Sequence, residues 1–244
     1  MEFIDPAIPP GCRSRYERRF LMRGSLRLAL LPGLILVLVL VGCRTDVTVD
    51  LYSSDLDRVA KKPSDTVTTP ALMAIQIPSA DKCNEYTPQI VEIMKGVVQD
   101  FEPKGCKSAQ MDSFLLGEVS ALVAAKQEAW DSADSLFGIM INPKGVVWLF
   151  MDREKYTTLN KRMENKFHQE LNLGKSKVSV VVNNDGRKTE KYAVAYVMVD
   201  GRPITTTQDV EVKRRRKVTI ELSNVASKYL AEHGIVPVMR LAKR

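Results

Sequence analysis

Residues 28–42 form a run of fifteen without a charge, flanked on one side by Arg23 and Arg27 and on the other by Cys43-Arg44. A helix crossing the ~30 Å hydrocarbon core of a bilayer needs roughly 20 apolar residues, so this run is short for a permanent span. Pro32-Gly33 weakens it further as a continuous helix. Its length and basic flank suit the apolar core of a signal peptide, a short uncleaved anchor being the alternative. The folded body then begins after Gly42 with 202 residues, enough for one large domain or two small ones with hydrophobic cores.

The run closes on Leu40-Val41-Gly42-Cys43. These four residues, behind a basic flank and an apolar core, resemble the lipobox of bacterial lipoproteins. The resemblance implies that the leader, residues 22–42, is removed, that the Cys43 thiol receives a diacylglycerol, and that Cys43 becomes the first residue of the mature chain. Arg44 stands where an aspartate would hold such lipoproteins at the inner membrane. The resemblance therefore implies the periplasmic face of the outer membrane in a host with two membranes. Residues 1–21 fit a leader poorly, because residues 4–10 are proline-rich and aperiodic while Met22-Arg23-Gly24 makes a natural start. They read as a misassigned start or a cloning remnant and take no part in the fold reasoning, a long native n-region being the other reading.

The whole chain carries 36 basic against 29 acidic residues, a net charge of +7. Without residues 1–42 the balance is 30 to 26, or +4. The basic character is thus largely in the leader, and a nucleic-acid partner loses its main support. With Cys43 acylated, Cys83 and Cys106 remain in an oxidising compartment, where disulfides form and persist. Closing that loop contributes about 3 kcal/mol in the chain-entropy account. A metal or redox pair would call for C-x-x-C spacing and neighbouring histidines, which these cysteines lack.

The alternation of Val47, Val49 and Leu51 reads as a first strand, followed by the turn-like Ser53-Ser54-Asp55. Residues 61–70, polar with two prolines, read as a loop, and residues 71–77 as a buried strand stopped by Pro78. Thr87-Pro88 reads as a helix start, leading into the amphipathic stripe of Ile90, Val91, Met94, Val97, Val98 and Phe101. Residues 109–130 fit either period. Residues 136–141 and 146–151 flank Asn142-Pro143-Lys144-Gly145, the chemistry of a type I turn, and predict a hairpin in a sheet interior. A polar helix over 153–171 carries Tyr156, Leu159, Met163 and Phe167 on one side, and residues 172–175 read as a linker.

Val178, Val180 and Val182 then alternate, with Asp185-Gly186 as a hairpin turn into an apolar strand over 192–199, and Asp200-Gly201 turns again. Val210 and Val212 keep one register with Val218, Ile220 and Leu222. Ser223 caps a short helix through Val225, Ala226, Tyr229 and Leu230, with Gly234 as its stop, and residues 235–241 close as a strand. The expected fold is α+β: two small units of mainly antiparallel sheet with packed helices, residues 43–172 and 176–244, one continuous domain being the alternative.

Catalytic signals are weak. His168 follows Glu164 at helical spacing, as a solvated face explains, and His233 sits beside the helix stop, where a C-terminus favours positive charge. No G-x-S-x-G elbow accompanies them, although a triad assembled in space leaves an envelope hydrolase as an alternative. Gly174-Lys175-Ser176 imitates the end of a phosphate-binding loop, but Gln169 replaces its first glycine. Glu128, Asp131 and Asp134 supply fewer oxygens than Ca²⁺ takes and read as a solvated acidic face. No metal or cofactor is expected.

The sharpest feature of the mature chain is Lys213-Arg214-Arg215-Arg216-Lys217. It lies in one long strand or at a hairpin tip, and gathers five cations where phosphate-rich lipids or an acidic partner would bind. A charged edge that blocks sheet-to-sheet aggregation is the plainer reading. Separately, Val49-Asp50-Leu51-Tyr52-Ser53 is similar to the start of the ring-forming lipoproteins of type III secretion, which build annuli from small α+β domains. That match covers five residues, and Pro63 interrupts the helix expected after it. The chain thus reads as a lipid-anchored, non-enzymatic envelope protein that binds or assembles with envelope partners or itself. Mass spectrometry of membrane-derived protein is expected to show an acylated N-terminal Cys43, and Cys43→Ala is expected to leave the chain unacylated with its leader attached.

Overall fold

The computed structural model describes residues 43–109, 112–131 and 133–242; the expected leader, the lipobox-like residues before Cys43 and residues 1–21 lie outside them. Strand β1 (Cys43–Tyr52) carries the expected alternation, with Val47, Val49 and Leu51 fully buried. Helix α1 (Ser53–Lys61) follows at once, so Ser53-Ser54-Asp55 is a first helical turn, and Leu56 and Val59 are its buried face. It ends before Pro63. Strand β2 (Val67–Ile77) begins within the expected loop and holds Pro70. The proline lies one residue beyond the last β1 pairing, Val49↔Ala71, where the Thr69 hydroxyl donates to the Asp50 carbonyl instead of a ladder N–H.

Helix α2 (Ala80–Lys95) starts seven residues before Thr87-Pro88 and takes Pro88 into its interior. Pro88 is exposed, so the gap it leaves in the hydrogen-bond ladder faces water, and Thr87 bonds the Cys83 carbonyl at 2.6 Å. Cys83, Ile90 and Met94 are its buried face. Strand β3 (Glu102–Ala109) follows, and the ambiguous stretch resolves into β4 (Asp112–Ala124) and the short α3 (Gln127–Asp131). All eight residues of β3 are exposed, and a disulfide between Cys83 and Cys106, with Cα atoms 6.3 Å apart, ties that strand to α2.

Strands β5 (Phe137–Ile141) and β6 (Val146–Met151) form the expected hairpin: the Gly145 amide donates to the Asn142 carbonyl at 2.9 Å, with Gly145 at φ 74. Helix α4 (Arg153–Phe167), capped by Asp152, buries Tyr156, Leu159 and Met163. The expected linker is core: β7 (Leu171–Asn172) and the 3-10 turn Leu173–Lys175 bury Leu171 and Leu173, and the Tyr156 hydroxyl donates to the Leu171 carbonyl. Then come β8 (Val178–Asn183), β9 (Glu190–Val194), β10 (Val197–Val199), β11 (Arg202–Ile204), β12 (Gln208–Val212), β13 (Lys217–Leu222), α5 (Asn224–His233) and β14 (Ile235–Leu241). The apolar stretch read as one strand is broken at Tyr196, which has φ 57. Ser223 and Gly234 bound α5 as expected.

These strands do not form two small sheets. They join one mixed sheet in the order β11-β10-β13-β8-β1-β2-β4-β5-β6-β14-β9-β12, so the protein is mostly β rather than α+β in two units. The reason lies in β1, which pairs antiparallel with β2 on one side and parallel with β8 on the other. That second pairing crosses the expected boundary at 172–176. Parallel partners need a long connection, so local pattern cannot announce them. β12 ends the order and β13 stands third from the opposite end, yet four residues join them. The two ends of the sheet therefore come together, and it curls into a nearly closed, barrel-like form.

Pairing directions define two ends. The proximal end is where β1 and β14 start, and where α5 crosses from β13 to β14. The distal end is where β1 and β8 finish and α1 packs. On the sheet face opposite the core, Gly138 of β5 leaves room for Trp130, which lies 4.9 Å from the Phe150 ring; a β-carbon there would fall within the indole and 2.5 Å from the Leu122 carbonyl oxygen. Gly138→Ala is expected to lower the unfolding free energy by about 2 kcal/mol, read as a lower urea midpoint at unchanged slope.

Candidate functional site

Val212 and Val218 are both buried and hold the strands on either side of the basic run. Between them the chain reverses: the Arg216 amide donates to the Lys213 carbonyl at 3.0 Å, and Arg215 has φ 56. The run is therefore a tight turn at the distal end, not one long strand. It is no ordinary hairpin tip either, because β12 pairs with β9 while β13 pairs with β8 and β10. Lys213, Arg214, Arg215, Arg216 and Lys217 are all exposed.

Asn184, only 1% exposed, fixes this turn. Its amide N–H donates to the Arg216 carbonyl at 2.9 Å, and its own carbonyl accepts from the Arg215 amide at 2.8 Å. The side-chain Nδ2 donates to the carbonyls of Lys188 at 2.8 Å and Val212 at 2.6 Å. Oδ1 accepts from the Gly186 amide at 3.0 Å and the Ser53 hydroxyl at 3.3 Å. One buried amide, with donors and acceptor satisfied, thus joins the basic turn to α1 and to residues 185–189. Those residues add Arg187 and Lys188. Among the described residues none of these seven cations forms a salt bridge, whereas nearby Lys61 pairs with Asp57 at 3.7 Å and Lys191 with Glu211 at 2.7 Å.

Asp185, expected in a hairpin turn, instead caps α1. Its carboxylate accepts from the Ser53 hydroxyl at 2.9 Å, the Ser54 amide at 3.0 Å and the Ser54 hydroxyl at 2.5 Å. Partial burial is the largest single influence and opposes ionisation, but the hydrogen bonds from Ser54 and Ser53 together outweigh it and hold the carboxyl below the ordinary aspartate range. The helix N-terminus is where a negative charge is favoured.

Beside this hub opens a cleft of about 850 Å³. Leu56 and Tyr192 supply apolar surface, while Lys61, Arg187, Lys188 and Lys191 line it with Asp57 and Glu190. Neither histidine does. His168 ends α4 with φ 55, and His233 stacks on Tyr229 with centroids 4.2 Å apart, so no histidine meets a nucleophile in this cleft. Asp134 pairs with Lys155 at 2.7 Å, and no group of three metal-ligating side chains occurs among the described residues. Ser176 of the imitation phosphate loop is buried, accepting from the Thr45 amide at 2.7 Å. Sequence reasoning missed Asn184, Arg187 and Lys188. Their one signal was Asn183-Asn184-Asp185-Gly186 followed by two cations, more polar turn formers than a two-residue hairpin requires.

Fold and site together define a barrel-like β protein with a polar hub and a basic distal end. Residues 45–243 match the model of a family described as a domain of unknown function, DUF7424, and the chain belongs to that family. No curated protein and no solved structure matches it. Because the Asp185 carboxyl is depressed in the folded state, its contribution is full above the unfolded pKa of ~3.9 and is lost as pH falls through the lower folded value. Asp185→Ala is expected to lower stability by about 1 kcal/mol at neutral pH. Denaturant titrations over acid pH should show that difference closing only below the ordinary aspartate range.

Proposed function

We propose that this chain is a lipid-anchored envelope protein with a binding role, holding a polyanionic partner at its distal end. The observation that carries the reading is the set of seven exposed or cleft-lining cations, Arg187, Lys188 and Lys213 to Lys217, gathered by Asn184 without a salt bridge among the described residues. Structural lysines and arginines on a solvated surface tend to sit beside carboxylates. These form no salt bridge among the described residues.

The lipobox-like Leu40-Val41-Gly42-Cys43 supports the anchor. A single acyl chain binds a bilayer marginally, whereas the several chains of a processed lipoprotein hold it firmly, each buried CH₂ contributing ~0.8 kcal/mol. β1 runs ten residues from Cys43 to Tyr52, roughly 30 Å at ~3.3 Å per residue. That span exceeds the ~8 Å Debye length at physiological salt several times over. The basic end therefore addresses something other than the bilayer that holds the anchor: an acidic protein, a second anionic surface or a phosphate-bearing polymer of the envelope. Among the described residues no helix is long and apolar enough to cross a membrane.

The test uses the full chain and inorganic polyphosphate as probe. Affinity is expected to fall steeply between low and physiological salt, and Arg214→Ala/Arg215→Ala/Arg216→Ala is expected to weaken it about a hundredfold, at ~1 kcal/mol for each of the three cations. Unchanged binding by a variant with wild-type thermal stability would reject the reading.

A further inference from the structure

Five large apolar or aromatic side chains stand exposed among the described residues: Tyr52, Leu72, Tyr196, Val225 and Tyr229. The three most exposed, Val225 at 80%, Tyr196 at 72% and Tyr229 at 47%, belong to the proximal end. The register places them there. Val197 pairs with Leu222, and Glu221 pairs with Ser179, whose strand neighbour across β1 is Thr48. Tyr196 and the start of α5 thus lie at the level of Val47 or nearer to Cys43.

Helix α5 is amphipathic in an unusual sense. Ser227 and Leu230 are buried, while Val225 and Tyr229, four residues apart, share the outward face. The helix lies over the 3-10 turn 173–175, and the Lys228 β-carbon passes 3.6 Å from where a β-carbon on Gly174 would sit. β7, just before that turn, pairs Leu171 with Cys43 and Asn172 with Arg44. The exposed face therefore flanks the point where the chain passes back into the apolar run of residues 28–42. Three lysines accompany it. Lys175 and Lys177 are exposed and form no salt bridge among the described residues, and exposed Lys228 only shares Glu232 at 3.8 Å.

We infer that Tyr196, Val225 and Tyr229, with Lys175, Lys177 and Lys228, rest on the anionic headgroup layer of the bilayer that holds the Cys43 end. This rests on the membrane anchorage proposed above. Tyrosine, with an apolar ring and a polar tip, is suited to that layer, and lysines are drawn to anionic lipid. The contact turns a tether into a platform: the barrel stands with β1 leading away from the membrane, its basic turn held outward.

The test uses the processed full chain in vesicles of phosphatidylethanolamine and phosphatidylglycerol. Val225→Cys and, separately, Arg214→Cys are labelled with an environment-sensitive fluorophore and quenched by nitroxide-headgroup lipid. The label at 225 is expected to lose most of its emission and the label at 214 to keep it. Equal quenching at the two positions overturns the inference, as does quenching at neither while the chain floats with the vesicles. Protection of position 225 that depends on protein concentration and persists in detergent would assign the face to a second copy and overturn it too. Acylation of Cys43 is scored separately by mass spectrometry, so failure of the anchor reading shows in the mass and failure of the platform shows in the quenching ratio.

Discussion

The parallel pairing of β1 with β8 sets the position of nearly everything else. It joins residues 131 apart in sequence, Val47 with Val178 through Tyr52 with Asn183, and parallel neighbours keep a constant offset. The same offset recurs in the side-chain bonds between the halves: Thr45 to Ser176, Thr48 to Ser179, Ser53 to Asn184 and Ser54 to Asp185. A slip of one residue would turn the buried valines outward and uncap α1 in a single step. The proximal and distal ends are thus positioned by one ladder, and neither has geometry independent of it.

What was legible in the sequence follows from this. Elements defined by their own neighbours were readable: the 142–145 turn with its hairpin, the face of α4, the caps of α5, and the cysteine pair. Elements defined from far away were not. α1 escaped because its cap, Asp185, is supplied by another part of the chain, and Tyr52 in the cap position makes no side-chain capping bond. The early start of α2 was hidden by Pro88, a residue that resembles a helix start but here sits on a solvated face. The division into two units failed for the deepest reason, since a parallel partner gives no turn signal. Of the candidate site, the five-cation run was visible as composition, whereas Arg187 and Lys188 join it only through the hydrogen bonds of Asn184.

Two other exposed edges of the sheet carry their own protection. The long exposed strand β3 carries Pro103, a register shift before Gly105, and the charged Lys104 and Lys107. Terminal strand β11 is three residues long and contains Pro203. Short strands, prolines, bulges and lysines are the means by which sheets avoid pairing with strangers. The 213–216 turn follows terminal strand β12 and lies beyond its last pairing, Val212↔Glu190, rather than along its edge.

Four non-glycine residues among those described, His168, Tyr196, Asp200 and Arg215, occupy the left-handed region, and two of them, Tyr196 and Arg215, stand one near each end of the barrel. For a side chain with a β-carbon that conformation costs roughly 1–2 kcal/mol, a penalty glycine would escape. A chain shaped for stability alone would be smooth at both places. At Tyr196 and Arg215 the backbone accepts that cost where the side chain is exposed, and so sets a tyrosine outward at the proximal end and an arginine outward at the distal one.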